Sequence, residues 1–108
     1  MKRVVVLGGG ESGIGAAVLA KVKGFDTFLS DMSTLTDQAK QMLEKYDIPY
    51  EEGGHTPEKI FNADEIIKSP GIPDTVAIIK GASAIGIPVI SEIEFAGRYD
   101  RTKKICIT

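Results

Sequence analysis

Short apolar runs alternate with amphipathic segments along the whole 108-residue chain. Runs rich in β-branched residues and bounded by glycine or proline predict strands, whereas apolar positions three and four residues apart predict helices. We predict strands at 3–7, 26–30, 49–51, 64–68, 88–90 and 103–108. We predict helices over 12–23, 35–46 and 57–61, then from a cap at Asp74 to Gly86, and from Ser91 to about Tyr99.

This regular alternation predicts the fold class. Strands separated by helices form parallel sheets with right-handed crossovers. We therefore expect one α/β domain with a Rossmann-like, doubly wound, mainly parallel sheet of about five strands and helices on both faces.

Capping residues mark the predicted helix ends. Thr34 with Asp37, and Ser91 with Glu94, are each spaced as a capping box, and Thr56 precedes a proline at the first helical position. Gly24 and Gly86 are expected to end the first and fourth helices.

Composition narrows the function classes only slightly. The chain is 43% hydrophobic and 26% charged, with a net charge of −2. This balance disfavours nucleic-acid binding. No apolar run is long enough for a membrane span, and Lys2-Arg3 leads straight into a strand without a signal-peptide pattern. A single cysteine, Cys106, excludes an internal disulfide framework. We expect a cytoplasmic protein.

A glycine motif supplies the strongest candidate chemistry. Gly8-x-Gly10-x-x-Gly13 stands between the first predicted strand and the first predicted helix. In this context the first glycine makes the turn, the second lets a ligand approach the backbone, and the third lets the helix pack closely on the strand. The helix N-terminus then presents free N–H groups to an anion. The motif predicts a nucleotide site in which backbone amides hold the phosphate.

Two further loops are expected at the same edge of the sheet. Asp31 ends the second strand, where a carboxylate commonly accepts hydrogen bonds from a ribose and so favours an NAD-binding dehydrogenase or regulatory domain. A carboxylate that caps the following segment is the alternative for Asp31. The corner 69–73, Ser-Pro-Gly-Ile-Pro, is stiffened by two prolines and offers its backbone to a flat ring.

The chain resembles the N-terminal domain of the Mur ligases. Four segments carry the resemblance: the glycine motif with its flanks (6–13), Ser30-Asp31, the corner 68–72, and 88–95, Pro-Val-Ile-Ser-Glu-Ile-Glu-Phe. They occur in family order from Arg3 onward. Within the family, the chain is most similar to the member that adds D-glutamate to UDP-N-acetylmuramoyl-L-alanine in peptidoglycan synthesis. The sister ligase that adds L-alanine is an alternative, as is a non-catalytic interaction domain.

The resemblance implies a site for the UDP part of that substrate. It places residues 10–13 against the diphosphate, and Asp31 and Met32 on one side of the uracil, with the corner on the other. The implied binding residues are Gly10, Glu11, Ser12, Gly13, Asp31, Met32, Ser69, Pro70 and Gly71. Glu11 would have to point away from the diphosphate. No residue of the chain is implied to be catalytic or to bind a metal.

The family architecture also predicts what lies around this domain. The resemblance implies that residues 1–102 form the substrate-binding domain and that 103–108 begin a central ATP-binding domain, followed by a Gly-x-x-Gly-Lys-Thr/Ser loop. ATP and Mg²⁺ would serve the full-length parent, and the ATP-binding and C-terminal domains would be partners in the same chain. The fragment alone is expected to be inactive.

Three other polar residues carry weaker signals. His55 has no second metal ligand near it in the sequence and is predicted to be a surface loop residue. Glu92 and Glu94 fit a catalytic carboxylate pair, but acids in a first helical turn more often complement the helix dipole.

Overall fold

The computed structural model describes residues 2–69, 72 and 76–99. The strands are β1 (Arg3–Leu7), β2 (Asp26–Asp31), β3 (Tyr50–Glu52), β4 (Glu65–Lys68) and β5 (Val89–Ser91). The helices are α1 (Glu11–Val22), α2 (Asp37–Lys45), α3 (Pro57–Ile60), α4 (Ala77–Ala84) and α5 (Glu92–Tyr99). The predicted strand at 103–108, the domain boundary there, Cys106, Pro70, Gly71 and Asp74 lie outside the described residues.

The five strands form one parallel sheet in the order β3-β2-β1-β4-β5. The predicted fold class is confirmed. After β1 the chain first builds outward through β2 and β3, and then returns to the other side of β1 to place β4 and β5. The strand order therefore reverses between β1 and β4. In open α/β sheets a ligand crevice forms at the carboxyl ends of the strands beside such a reversal.

Both faces of the sheet are covered by helices, and the alternation of β1 shows how. Val4 and Val6 lie in a core with α1, α2 and α5, whereas Val5 and Leu7 pack on the opposite face against residues of α3 and α4. All four side chains are 0% exposed. A continuous apolar run is the expected sequence of a strand that is buried on both faces.

The start of α2 differs from the prediction. The N-cap is Thr36, whose Oγ1 accepts a hydrogen bond from the Ala39 N–H at 3.1 Å. The predicted capping box at Thr34 and Asp37 is wrong. Leu35 stays outside the helix because its side chain is buried and its N–H donates to Glu52 Oε1 of β3 at 2.8 Å.

The other helix ends follow the sequence more closely. Gly24 and Gly86 have φ values of +91° and +87° just after α1 and α4, which suits a glycine at a helix end. Ser91 Oγ accepts the Glu94 N–H at 3.1 Å, as a capping residue of α5 should. The N-cap of α4 is Val76, and its side chain makes no capping hydrogen bond.

Ion pairs and hydrogen bonds join the strands at the amino end of the sheet. Arg98, in the last turn of α5, donates from its two terminal guanidinium nitrogens to the two carboxylate oxygens of Glu65, at 3.1 Å each. The Arg3 side chain donates to Asn62 Oδ1, Asp26 Oδ2 and the Lys59 carbonyl at 2.8–3.1 Å. These contacts connect the starts of β1, β2 and β4 to the helices beside them.

No helix in the described part of the chain is long and apolar enough to cross a membrane.

Candidate nucleotide-binding site

Each glycine of the motif meets a different steric demand in the loop between β1 and α1, residues 8–13. Gly8 has φ +104°, a conformation that L side chains rarely adopt. Gly10 is the N-cap of α1 and is exposed, and a Cβ placed on it would have no atom within 4 Å. At Gly13 such a Cβ would overlap the Gly8 carbonyl oxygen. The predicted turn at Gly8 and the close helix packing at Gly13 are confirmed, and the open space at Gly10 leaves room for the predicted approach of a ligand.

This glycine loop leaves several donors open. The first intrahelical bond of α1 runs from the Ile14 N–H to the Gly10 carbonyl at 2.9 Å. The N–H groups of residues 11–13 therefore have no acceptor within the helix. They lie at the positive end of the α1 dipole, which favours a negatively charged ligand. The loop is able to bind a phosphate group without a basic side chain.

Asp31 holds the glycine loop to the end of β2. Its Oδ2 accepts the Gly9 N–H at 2.7 Å, and its Oδ1 accepts the Ser33 N–H at 2.8 Å. The second bond is the cap of the following segment that was the alternative role for Asp31. Because both oxygens are engaged by backbone groups, this carboxylate first of all fixes the positions of two loops.

A cavity of about 750 Å³ opens at the reversal of strand order. The glycine loop, the loop after β2, the turn before α3 and the region around the start of α4 surround it. The described lining residues are Gly8, Gly9, Gly10, Asp31, Met32, Ser33, Gly54, His55, Pro57, Ser69, Ile72, Val76, Ala77 and Ile78. None of these residues is a lysine or an arginine, so a bound anion would rely on backbone dipoles for its stabilisation.

The predicted site residues other than Pro70 and Gly71, which lie outside the described residues, fall into three groups. Those that line the cavity are Gly10, Asp31, Met32 and Ser69. Glu11 and Ser12 are exposed in the first turn of α1 and do not line it. Gly13 is buried behind the loop. Glu11 is therefore exposed and does not contribute to the lining of the cavity.

His55 lines the cavity, although the sequence predicted an isolated surface residue. Its Nδ1 lies 2.6 Å from Ser30 Oγ, and Ser30 is 0% exposed at the end of β2. The predicted loop position is confirmed, but the side chain is half-buried rather than fully at the surface. The two residues are 25 positions apart, and only the pairing of β2 with β3 brings them together.

Glu51 completes this network. Its Oε2 accepts hydrogen bonds from Ser30 Oγ and the Thr56 N–H, both at 2.8 Å, and its Oε1 accepts from Thr56 Oγ1 at 2.6 Å. Burial alone would raise the pKa of Glu51, but the bonds from Thr56 and Ser30 outweigh it and hold that pKa below its ordinary value. Burial lowers the pKa of His55, although the negative charges of Glu51 and Asp31 partly oppose it. At neutral pH Glu51 is therefore ionised and His55 is neutral.

Glu92 and Glu94 do not form a carboxylate pair. Glu94 is exposed, whereas Glu92 is 4% exposed and neither of its carboxylate oxygens has a hydrogen-bond partner among the described residues. Glu92 Oε2 lies 3.4 Å from the Cβ position of Gly13, which places it beside the first turn of α1. Both acids lie in the first turn of α5, where the helix dipole favours them.

No cluster of three or more His, Cys, Asp or Glu side chains that could hold a metal ion occurs among residues 2–69, 72 and 76–99.

The family model and the sequence relatives agree on one family. Residues 3–77 match the family model described as "MurD N-terminal domain". The chain is 64% identical, over its whole length, to the UDP-N-acetylmuramoylalanine–D-glutamate ligase of Bacteroides thetaiotaomicron, of which it covers 24%. It is 56% identical over 105 residues to the enzyme of the same name from Porphyromonas gingivalis, of which it covers 23%. The chain thus spans about a quarter of the length of these relatives.

Among solved structures, a murein peptide ligase from Psychrobacter arcticus superimposes with a TM-score of 0.79 at 21% identity. The match covers 92% of this chain and 21% of that one. At this identity the likeness shows the fold alone.

Proposed function

Since this chain belongs to the MurD N-terminal domain family, we propose that it holds the UDP part of UDP-N-acetylmuramoyl-L-alanine in a ligase that adds D-glutamate. The observation that carries the proposal is the cavity at the reversal of strand order, which residues 8–10 line, with the open N–H groups of residues 11–13 directly after them in the glycine loop. The chain binds and orients the substrate in this proposal, and contributes no catalytic residue.

The two ends of UDP have different requirements, and the cavity offers a surface for each. The N–H groups of residues 10–13 suit the diphosphate, because they combine hydrogen-bond donation with the α1 dipole. The side chains of Met32, Ile72 and Val76 supply apolar surface for the flat uracil ring. Met32 is 64% exposed, so a base that covers it would bury apolar area.

This domain contributes to the reaction by binding the UDP group, which lies far from the carboxylate that reacts. ATP, Mg²⁺ and the residues that activate the substrate carboxylate would act in other domains of the full-length protein. Contacts to a remote UDP group orient the reacting end and lower the entropic cost of the reaction. On this proposal the parent is a cytoplasmic enzyme, and its ATP-binding and C-terminal domains are the partners of this one.

The second candidate is an NAD-binding domain, which the glycine motif and Asp31 favour. Asp31 weakens this candidate, because both of its oxygens already accept backbone N–H groups. A ribose would have to share those oxygens.

Titration of the ¹⁵N-labelled chain with UDP and, separately, with NAD⁺ distinguishes the two candidates. We expect UDP to shift the amide signals of residues 8–13 and 31–33, with a dissociation constant on the order of 0.1–10 mM. A few charge-assisted hydrogen bonds of about 1.5–3 kcal/mol each are offset in large part by the cost of association. Micromolar NAD⁺ shifting the glycine loop, with no response to UDP, would overturn the proposal.

A variant tests whether the ligand lies on the glycine loop. Gly10→Val adds a branched side chain where no protein atom lies within 4 Å of the Cβ, at φ −70° and ψ 179°, which any residue can adopt. We expect a folded protein whose UDP affinity falls at least about tenfold. Gly15→Ala is the matched control, because Gly15 lies on α1 outside the cavity lining. Unchanged affinity in Gly10→Val would place the ligand elsewhere.

A further inference from the structure

We propose that His55 presents an unprotonated Nε2 to the cavity and there accepts a hydrogen bond from a neutral donor of the nucleotide, a ribose hydroxyl or the uracil N–H. This assignment deepens the proposed function and rests on it for the identity of the ligand. The tautomer itself follows from the hydrogen bonds of the chain alone.

The Ser30 hydroxyl determines the proton arrangement. Its oxygen has three polar neighbours, namely Glu51 Oε2 at 2.8 Å, the Gly54 carbonyl at 3.3 Å and His55 Nδ1 at 2.6 Å. A serine hydroxyl carries one proton and can accept two hydrogen bonds. The carbonyl and an ionised carboxylate can only accept. One of these three neighbours must therefore supply a proton if the contacts are to be favourable, and only the imidazole is able to do so.

The opposite arrangement is unfavourable. If Ser30 donated to His55 Nδ1, its lone pairs would face Glu51 Oε2 at 2.8 Å. That contact would be repulsive unless Glu51 carried a proton. Thr56 donates two hydrogen bonds to Glu51, which stabilise the ionised form of the carboxylate. The hydrogen bonds therefore all point in one direction: His55 Nδ1–H donates to Ser30 Oγ, and Ser30 Oγ–H donates to Glu51 Oε2. Such a chain polarises its own members and strengthens each bond.

The same series of hydrogen bonds determines which ring nitrogen of His55 is available to a ligand. Nδ1 is turned toward Ser30, which is fully buried, so the cavity-lining edge of the ring is the one that carries Nε2. Among the described residues Nε2 has no hydrogen-bond partner. A neutral imidazole with its proton on Nδ1 has a lone pair on Nε2. That lone pair attracts an O–H or N–H donor and repels a phosphate oxygen.

The charged groups around the ring are consistent with the neutral form at neutral pH. Glu51 and Asp31 are the acids that act on His55, and both favour its protonated state. Burial acts against that state and is the larger effect, so the pKa of His55 is lowered from its ordinary value of 6.5.

Long-range ¹H–¹⁵N NMR of the free chain at pH 7.5 tests the tautomer directly. We expect His55, the only histidine in the sequence, to show a protonated Nδ1 and an unprotonated Nε2. Ser30→Ala removes the acceptor of the Nδ1 proton, and we expect the signals to shift toward the mixture of tautomers typical of a solvated imidazole. A wild-type His55 with its proton on Nε2 would overturn the inference.

Addition of UDP tests the ligand contact. We expect the Nε2 signal to move modestly while Nε2 remains unprotonated. Three analogues then identify the donor: UDP lacking the 2′-hydroxyl, UDP lacking the 3′-hydroxyl, and N3-methyl-UDP. The analogue from which the donating group is missing should leave the Nε2 signal unshifted. Protonation of Nε2 on binding would mean that it pairs with the diphosphate, and would overturn the inference. Absence of any UDP response in the glycine loop would overturn the proposed function and the ligand contact, while the tautomer in the free chain would still stand.

Two variants separate the contact from a structural role of His55. Asn is the nearest match to the Nδ1 side of the ring, so His55→Asn should keep the bond to Ser30 but lose the acceptor at Nε2. We expect UDP binding to weaken about 2- to 10-fold, the effect of one ordinary hydrogen bond. Gln reaches toward the Nε2 position, and His55→Gln should restore part of the affinity. Equal binding by wild type and His55→Asn would overturn the contact.

Discussion

Polar groups are paired at the amino end of the parallel sheet, whereas several are unpaired at its carboxyl end. At the amino end, the buried carboxylate of Glu65 is paired with both guanidinium nitrogens of Arg98, and Arg3 satisfies three neighbouring acceptors. At the carboxyl end, the N–H groups of residues 11–13 have no acceptor within α1, and the buried carboxylate of Glu92 has no hydrogen-bond partner among the described residues.

Unsatisfied buried groups cost stability, so a fold retains them where they serve a purpose. The pairing at the amino end stabilises the domain. Under the function proposed above, the unpaired groups at the carboxyl end are the ones that a ligand would use.

The largest expected effect concerns the glycine that lets α1 pack on β1. In Gly13→Ala the new methyl group would overlap the Gly8 carbonyl oxygen, and backbone cannot move aside as a side chain can. We expect the free energy of unfolding to fall by about 3 kcal/mol or more, measured by urea denaturation. Gly15→Ala, two positions along the same helix with no neighbouring atom within 4 Å, should instead raise it by about 0.5–1 kcal/mol. Similar effects of both variants would contradict the assigned role of Gly13.

The second-largest effect tests the ion pair at the amino end of the sheet. Arg98→Ala leaves the Glu65 carboxylate, 7% exposed, with Lys2 at 3.9 Å as its remaining cationic neighbour among the described residues. Loss of one partner of a buried pair costs about 3–5 kcal/mol, but Arg98 is itself 38% exposed and water will replace part of the interaction. We expect a loss of about 2 kcal/mol in urea denaturation, with Arg98→Lys intermediate. A loss below about 0.5 kcal/mol would class this contact with ordinary surface ion pairs.

The smallest effect is an expected gain in stability, and it tests the unpaired carboxylate at the carboxyl end of the sheet. Glu92→Gln removes a charge that has no partner among the described residues but leaves the side chain nearly the same size. We expect stability to rise by about 1 kcal/mol, since a buried amide costs less than an unpaired buried charge. Glu94→Gln, on the exposed side of the same helical turn, should lose a few tenths of a kcal/mol of favourable interaction with the helix dipole. A destabilised Glu92→Gln variant would show that the charge of Glu92 is satisfied after all.

Local patterns in the sequence were sufficient for the fold and for the glycine loop. Strand–glycine–helix is a contiguous signal, and the structure confirms the turn expected at Gly8 and the close packing expected at Gly13. The predicted start of α2 was wrong because two threonines compete for the cap, and the choice of Thr36 depends on Glu52 of β3, which holds Leu35 in the loop. No pattern near Leu35 reports that contact.

The same limit applies to the site. Glycine and aspartate motifs located the cavity, but His55 was missed as a lining residue because its partner Ser30 is on a different strand. A histidine two residues after Gly53 carries no local signal of burial. The order β3-β2-β1 brings β3 and the turn that follows it beside the end of β2, and this information exists only in the folded chain.

The position of β1 in the sheet has a consequence for folding. β1 is the first strand in the chain, yet its two neighbours are β2 and β4, and Val4 pairs with both Thr27 and Glu65. During synthesis the chain must extend past residue 68 before the centre of the sheet can close. Until then the valine-rich edge of β1 is unpaired, and such edges are prone to bind other chains. Slow formation of long-range parallel pairs makes this interval the one in which a newly made domain most needs protection.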